Sequence, residues 1–262
     1  MSACAGAVHA EWTKLRTVAG PLSLTAAAVV LTVALGVVAD LAASCGGPGC
    51  AADPARTAFT GVMLGQALVV VAAVTAIGSE YGSGMIATSL AAVPRRLTGL
   101  AAKAAVVGGA VLTAALLAVA GSLAAGWLIL PGRGFTAANG SALSSLADPA
   151  LLRAAVCTVL YLCLVALLGL GAAYAVRDSV AATGLVLGLL YLFPIVARVV
   201  GDPAWHRRLE RLGPMTSGLA AQTVRDVAAQ PITPWHGIGV VALWALAALA
   251  AGGATLRARD AE

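Results

Sequence analysis

The sequence predicts an all-α integral membrane protein of six transmembrane helices, with an N-terminal interfacial helix and a short cytoplasmic coupling helix. Two observations carry the membrane class. Only 10% of the 262 residues are charged against 60% hydrophobic, where a water-soluble domain carries roughly a quarter charged residues. Mean hydropathy is +0.95. The third observation sets the count. Six stretches, about 21–43, 57–78, 101–130, 151–176, 180–200 and 237–256, reach or approach the ~20 apolar residues that a helical crossing needs.

The spans are separated by clusters of Pro, Gly and charge: CGGPGCAADPAR (45–56), PGRGFTAANGS (131–141) and RDS (177–179). None of the six shows a polar face, as expected of helices wetted by lipid and by each other. The third is long for one crossing and is expected to start in the interface near Lys103 or to be tilted. The fourth and fifth share almost no loop and form a tight hairpin. Together they make a single transmembrane domain over 1–262. Lys14, Arg16, the first apolar run and LAASC (41–45) faintly resemble a leader with a lipoprotein cleavage box. That run is too long for the ~7–15-residue core of a leader, so it is kept as a span.

Lys and Arg set the expected orientation. With the N-terminus inside, Lys14, Arg16, Arg95, Arg96, Lys103, Arg177, Arg257 and Arg259 are cytoplasmic. Arg56, Arg133, Arg153, Arg198, Arg207, Arg208, Arg211 and Arg225 are then outside, a tie of eight against eight. Early spans and short loops dominate the rule, and without the last loop the count is eight to three, placing both termini in the cytoplasm. The 201–236 loop opposes that orientation. Within it Trp205, Leu209 and Leu212 recur at helical spacing, consistent with a short helix on the membrane surface or with a solvated loop. In AEWTKLRT (10–17), Trp12 and Leu15 are read as one face of an interfacial helix whose charges include Lys14 and Arg16.

Much chemistry is missing. All three histidines, His9, His206 and His236, lie outside the spans, so an intramembrane Ser–His protease has no base. There is no HExxH, no paired span glutamates and no G-x-S-x-G. The lysines, Lys14 and Lys103, lack the glycine-rich context of a phosphate-binding loop. Mid-span acids of an ion-coupled carrier are absent too, since Asp40 lies near a span end. Basic residues are scattered rather than gathered on a stripe with aromatics, against nucleic-acid binding. No metal set is evident. Gln66, an amide inside span two, needs a partner: either a neighbouring helix or a substrate path. Cys45 and Cys50 flank GGPG, a turn able to bring the thiols together as a disulfide. GVMLG (61–65) and GLVLG (184–188) are GxxxG spacings, no more frequent than glycine content predicts.

The segment GSEYGSGMIATSLAAVPRRLTGLAAK (78–103) interrupts the apolar pattern. Ile86, Leu90 and Val93 fall on one helical face, Pro94 stops that helix, and Arg95 and Arg96 hold its exit at headgroups. Too short to cross, it suits docking in a groove or serving as a stiff linker. This block, AEWTKLRT before span one, AVRDSVAA between spans four and five, and the terminal RARDAE resemble the permease subunit of bacterial type-2 ATP-binding-cassette exporters. The order and spacing extend over nearly the whole chain. The resemblance implies that residues 79–98 form the cytoplasmic coupling helix, docked on a separate ATPase chain. Glu80, Tyr81, Ile86, Leu90, Val93, Pro94, Arg95 and Arg96 are then the coupling surface, with Glu80 paired to the ATPase or to Lys14 and Arg16. It implies a second permease chain, no cofactor on this chain, ATP and magnesium on the ATPase, and a bacterial cytoplasmic membrane. It also implies that the 201–236 loop lies outside and holds short helices re-entering the outer leaflet. The alternatives are a non-transporting membrane scaffold or sensor-associated protein and, third, a secondary carrier. The few aromatics suit an amphiphilic cargo, although an ion is equally compatible.

Overall fold

The computed structural model describes residues 3–17, 19–47, 50–82 and 96–258, and among these it is helical with no strand. The helices are α1 (Ala3–Thr17), α2 (Ala19–Ala42), α3 (Pro54–Ala58), α4 (Val62–Gly82), α5 (Arg96–Ile129), α6 (Pro149–Val176), α7 (Ser179–Val199), α8 (Pro203–Leu212), α9 (Pro214–Ala220) and α10 (Pro234–Ala258). Among the described residues, five helical stretches are long and apolar enough to cross a membrane: Gly20–Ala42, Leu97–Arg133, Pro149–Val176, Ser179–Val199 and Pro234–Ala258. The apolar stretch Val62–Gly78 is shorter. The chain is therefore a multi-pass α-helical membrane protein in architecture, as its helices have nowhere to hide so much apolar surface except lipid.

Helix starts follow a local rule. α3, α6 and α8 each begin with Asp-Pro: Asp53, Asp148 and Asp202 accept backbone N–H bonds from the first turn, while the proline at the first position has no N–H to satisfy. Asp178 caps α7 in the same way through the Ala181 N–H at 2.6 Å. Arg177 ends α6 in the left-handed region (φ 63°), which lets α7 turn back at once. The expected tight hairpin of spans four and five is built on these two residues.

α6 is the hub. It packs against α4, α5, α7, α9 and α10, and Leu151, Tyr161, Val165 and Leu170 on it are fully or almost fully buried. α2 packs on α4 and α5 and leaves its other flank open, with Val30 68% and Val38 60% exposed. Two expected boundaries move. The stretch 57–78 is not one helix: α3 ends at Ala58, and turns at Phe59–Gly61 precede α4. Gly61 and Gly65 then face Thr32, and a Cβ on either would collide with that residue's carbonyl or hydroxyl. This GxxxG is an intrachain α2–α4 contact, whereas Gly184 and Gly188 meet nothing within 4 Å. The third span begins at Arg96 rather than near residue 101, and forms a 34-residue helix.

The loop after α7 does not lie flat. Gly213 abuts the Phe193 side chain: a Cβ there would sit 2.7 Å from Phe193 Cβ. The Trp244 indole donates to the Leu212 carbonyl at 3.0 Å. Phe193 lies inside α7 and Trp244 inside α10, so the α8–α9 tip sits between these helices, roughly 9 Å along α7 from its end at 1.5 Å per residue. α8 descends, α9 returns, and Val224 and Arg225 come back to Asp53. The segment expected as a surface helix thus holds a helix, α8, with no buried residue, whose far end folds back alongside α7 and α10. Gly213 is the reason the tip fits, because a larger residue would strike Phe193.

Candidate functional site

Two ends of the bundle hold the sequence-derived candidates. At the first, α1 lies against the start of α5. Its inner stripe is Ala7, Glu11 and Leu15, at helical spacing, with Ala7 and Leu15 buried. Trp12 does not share that burial with Leu15; it is turned outward and 45% exposed, and Arg16 is also exposed. Glu11 Oε2 pairs with Lys103 Nζ at 2.7 Å and Glu11 Oε1 with Lys14 Nζ at 2.9 Å. Lys103 also donates to the Ala76 carbonyl of α4 at 3.3 Å. Burial pushes the Glu11 carboxyl up, but Lys103 and Lys14 outweigh it and hold it below its ordinary range.

Lys103 is the eighth residue of α5 rather than its first. It is 4% exposed and joins three helices: α1 through Glu11, α4 through Ala76, and its own α5. Those last two helices end and begin within the expected 79–98 coupling segment (the insert), of which residues 83–95 lie outside the described residues. The side chains of Glu80, Tyr81 and Arg96, and the whole of Ile86, Leu90, Val93, Pro94 and Arg95, lie outside the described residues. By backbone, Glu80 and Tyr81 belong to the last turn of α4, and Arg96 opens α5. A small apolar cavity of about 320 Å³ lies beside this clamp, lined by Val8, Leu97, Thr98, Ala101 and Ala102.

The opposite end is tied by carbonyls and caps. Asp53 accepts from Ala55 and Arg56 N–H with one oxygen, and from Val224 and Arg225 N–H at 2.7 and 3.0 Å with the other. The Arg225 guanidinium donates to the Cys50, Ala52 and Gly140 carbonyls. Arg153 donates to Thr223 at 2.6 Å. Cys45 and Cys50 are joined as a disulfide, and the Cys45 N–H donates to Arg133 at 2.9 Å. One side chain, Asp53, thus secures the loop before α4 and the return of the α8–α9 hairpin.

Beneath that end lies a polar cluster inside the bundle. Gln66 on α4 is fully buried. Its amide N–H donates to the Met63 carbonyl at 2.9 Å, and its carbonyl oxygen accepts a short bond from the Tyr161 hydroxyl of α6. The Tyr191 hydroxyl of α7 donates to the same Met63 carbonyl at 2.6 Å. Of the two roles open to Gln66, the structure gives it the interhelix one. Gly218 on α9 lies against the Tyr161 ring, where any side chain would collide. Asp40 on α2 is fully buried, and no described protein donor reaches either oxygen.

Sequence reasoning missed Glu11 and Tyr161. A lone lysine seven residues into an apolar helix signalled a buried partner, and Tyr161 was an aromatic with a polar tip in mid-span. Among the described residues no group of three His, Cys, Asp or Glu could hold a metal. No family model and no curated protein matches the chain.

Proposed function

We propose that the chain is the membrane-spanning permease subunit of an ATP-binding-cassette exporter, lining the translocation path and coupling it to ATP hydrolysis by a separate chain. The observation that carries this is the Lys103 clamp. Its ion pair with Glu11 and its bond to Ala76 tie α1, α4 and α5 together at the root of the insert. A segment that transmits force from an ATPase needs such a mount, because a load applied to a loosely held loop would be lost in local bending. The α8–α9 hairpin at the far end supports the same reading, since the resemblance implies short re-entrant helices there.

In this reading α4 is the sixth crossing, as its 21 residues extend about 30 Å at 1.5 Å per residue. Both termini and the insert are cytoplasmic, the membrane is the bacterial cytoplasmic one, and two such chains assemble with two ATPases. The chain itself is not an enzyme and carries no cofactor; ATP and magnesium belong to its partner. Ile86, Leu90 and Val93 bury in the ATPase cleft, with Glu80, Tyr81, Pro94, Arg95 and Arg96 framing them.

The test is purification of the tagged chain in mild detergent from its native membrane, with identification of partners and an ATPase assay. The expected result is a near-equimolar partner with a phosphate-binding loop, lost in Leu90→Asp while that variant stays membrane-inserted. Normal efflux by Leu90→Asp would overturn the proposal. A stable non-ATPase partner would favour a scaffold, and transport that survives ATP depletion but not loss of the proton gradient would favour a carrier.

A further inference from the structure

We propose that the outward face of α8 binds the phosphate headgroup of an anionic phospholipid at the membrane end that the hairpin enters. The argument begins with what α8 turns inward. His206 Nδ1 donates to the Ala197 carbonyl of α7 at 2.7 Å, and its Nε2 lies 3.3 Å from Glu210 Oε1. His206, Leu209 and Glu210 are half-buried, so the acid of the helix faces the protein. The opposite side carries Trp205, Arg207, Arg208, Arg211 and Leu212, all exposed.

On that side the residues sort by stripe. Trp205, Arg208 and Leu212 follow one line of the helix, and Arg207 and Arg211 the next. The Arg208 guanidinium sits 5.3 Å from the Trp205 ring centroid, a cation–π arrangement that leaves the edges of the guanidinium for a ligand. Arg211 is anchored through Nε to the Pro231 carbonyl at 2.7 Å, which holds its charge back toward the mouth of the hairpin.

Depth turns a basic face into a lipid site. Because the hairpin tip reaches Phe193 and Trp244, α8 slopes from the bundle's end into the level of the acyl chains. Leu212 is apolar surface at that level, while Trp205 lies nearer the bundle's end, one residue from the His206 that bonds Ala197; the arginines between them snorkel to the nearest anions. Bilayer phosphates are the anions there in quantity, and guanidinium takes a phosphate through paired N–H donors. The same attraction accounts for arginines in a loop that the charge rule would keep free of them. The inference is independent of whether an ATPase couples to the chain.

The experiment uses the full chain in phosphatidylcholine vesicles with bromine-labelled phosphatidylglycerol or bromine-labelled phosphatidylcholine as quencher. The readout is the tryptophan quenching lost on Trp205→Phe, which reports Trp205 alone. Labelled phosphatidylglycerol is expected to outcompete labelled phosphatidylcholine at Trp205 by about fivefold or more, the scale of one or two basic groups at a charged surface. Arg207→Gln/Arg208→Gln removes the preference; Arg207→Lys/Arg208→Lys keeps the charge but not the paired donors and retains part of it, which separates charge from folding. Equal quenching by the two lipids, or a preference that survives the Gln pair, overturns the proposal. So does loss of the preference with about 10 mM inorganic phosphate at constant ionic strength, which would assign the site to a free anion.

Discussion

The two ends of the bundle are held by different means. Near the insert, among the described residues, Glu11 pairs with Lys14 and Lys103, and Lys103 also reaches the Ala76 carbonyl of α4. At the hairpin end, Asp53, Arg225 and Arg153 bond to backbone groups from three separate stretches of chain, 50–56, 140 and 223–225, and a disulfide ties Cys45 to Cys50. Backbone partners cannot be swapped by a rotamer change, so the second end is fixed in shape. At the first end the contacts named are two side-chain ion pairs and one bond to a backbone carbonyl, that of Ala76.

The largest effect is expected from Asp53→Ala. It removes the α3 cap together with the acceptor for Val224 and Arg225 N–H, a loss of about 2–4 kcal/mol. Thermal unfolding in detergent measures it, and an unchanged melting temperature would mean that the hairpin end is not tied there. Tyr161→Phe comes next, because it strands the Gln66 carbonyl oxygen in a dry site at a cost of about 1–3 kcal/mol. A double-mutant cycle with Gln66→Leu should recover part of that loss, and strict additivity would deny the bond. Reducing the five-residue-separated disulfide or replacing it by Ser–Ser is expected to cost about 2 kcal/mol by loop entropy, read in the same assay with and without reductant.

The smallest effect should appear at the other end. Glu11→Gln is expected to raise hydrogen exchange in α1 by about tenfold, equivalent to 1.4 kcal/mol, while leaving global unfolding nearly unchanged. Its pH dependence has a fixed sign. The folded carboxyl titrates below its unfolded value of 4.5, so the stabilisation is present above that value and is lost as pH falls through the folded pKa. Acid should therefore loosen α1 in the native chain and have little further effect in Glu11→Gln. If acid loosens both equally, the clamp does not rest on this carboxylate.

Legibility in the sequence followed the same division. α2, α7 and α10 were readable to within a few residues, because a lipid-facing helix advertises itself by composition alone. The Asp-Pro starts of α3, α6 and α8 were also present in the sequence, as a cap signal that hydropathy does not register. The break at Phe59–Gly61 was not readable: it depends on Gly61 pressing against Thr32, a contact with another helix. Likewise Glu11 and Lys103 are 92 positions apart, and nothing local to either says that they meet. The surface helix expected around Trp205 was amphipathic as read, yet its slope comes from Gly213 beside Phe193 and from Trp244 holding Leu212. Periodicity reports which faces a helix has; its inclination is a property of its neighbours.

The length of α5 has a mechanical consequence. A helix of 34 residues with no proline inside it measures about 51 Å, some 20 Å more than the ~30 Å hydrocarbon slab. Such a rod is a lever: pivoted near its middle, a tilt of about 10° carries its two tips roughly 4–5 Å in opposite directions. Arg96 rides on one tip and Ile129 on the other, so displacing either tip displaces the other without any bond within the helix having to break.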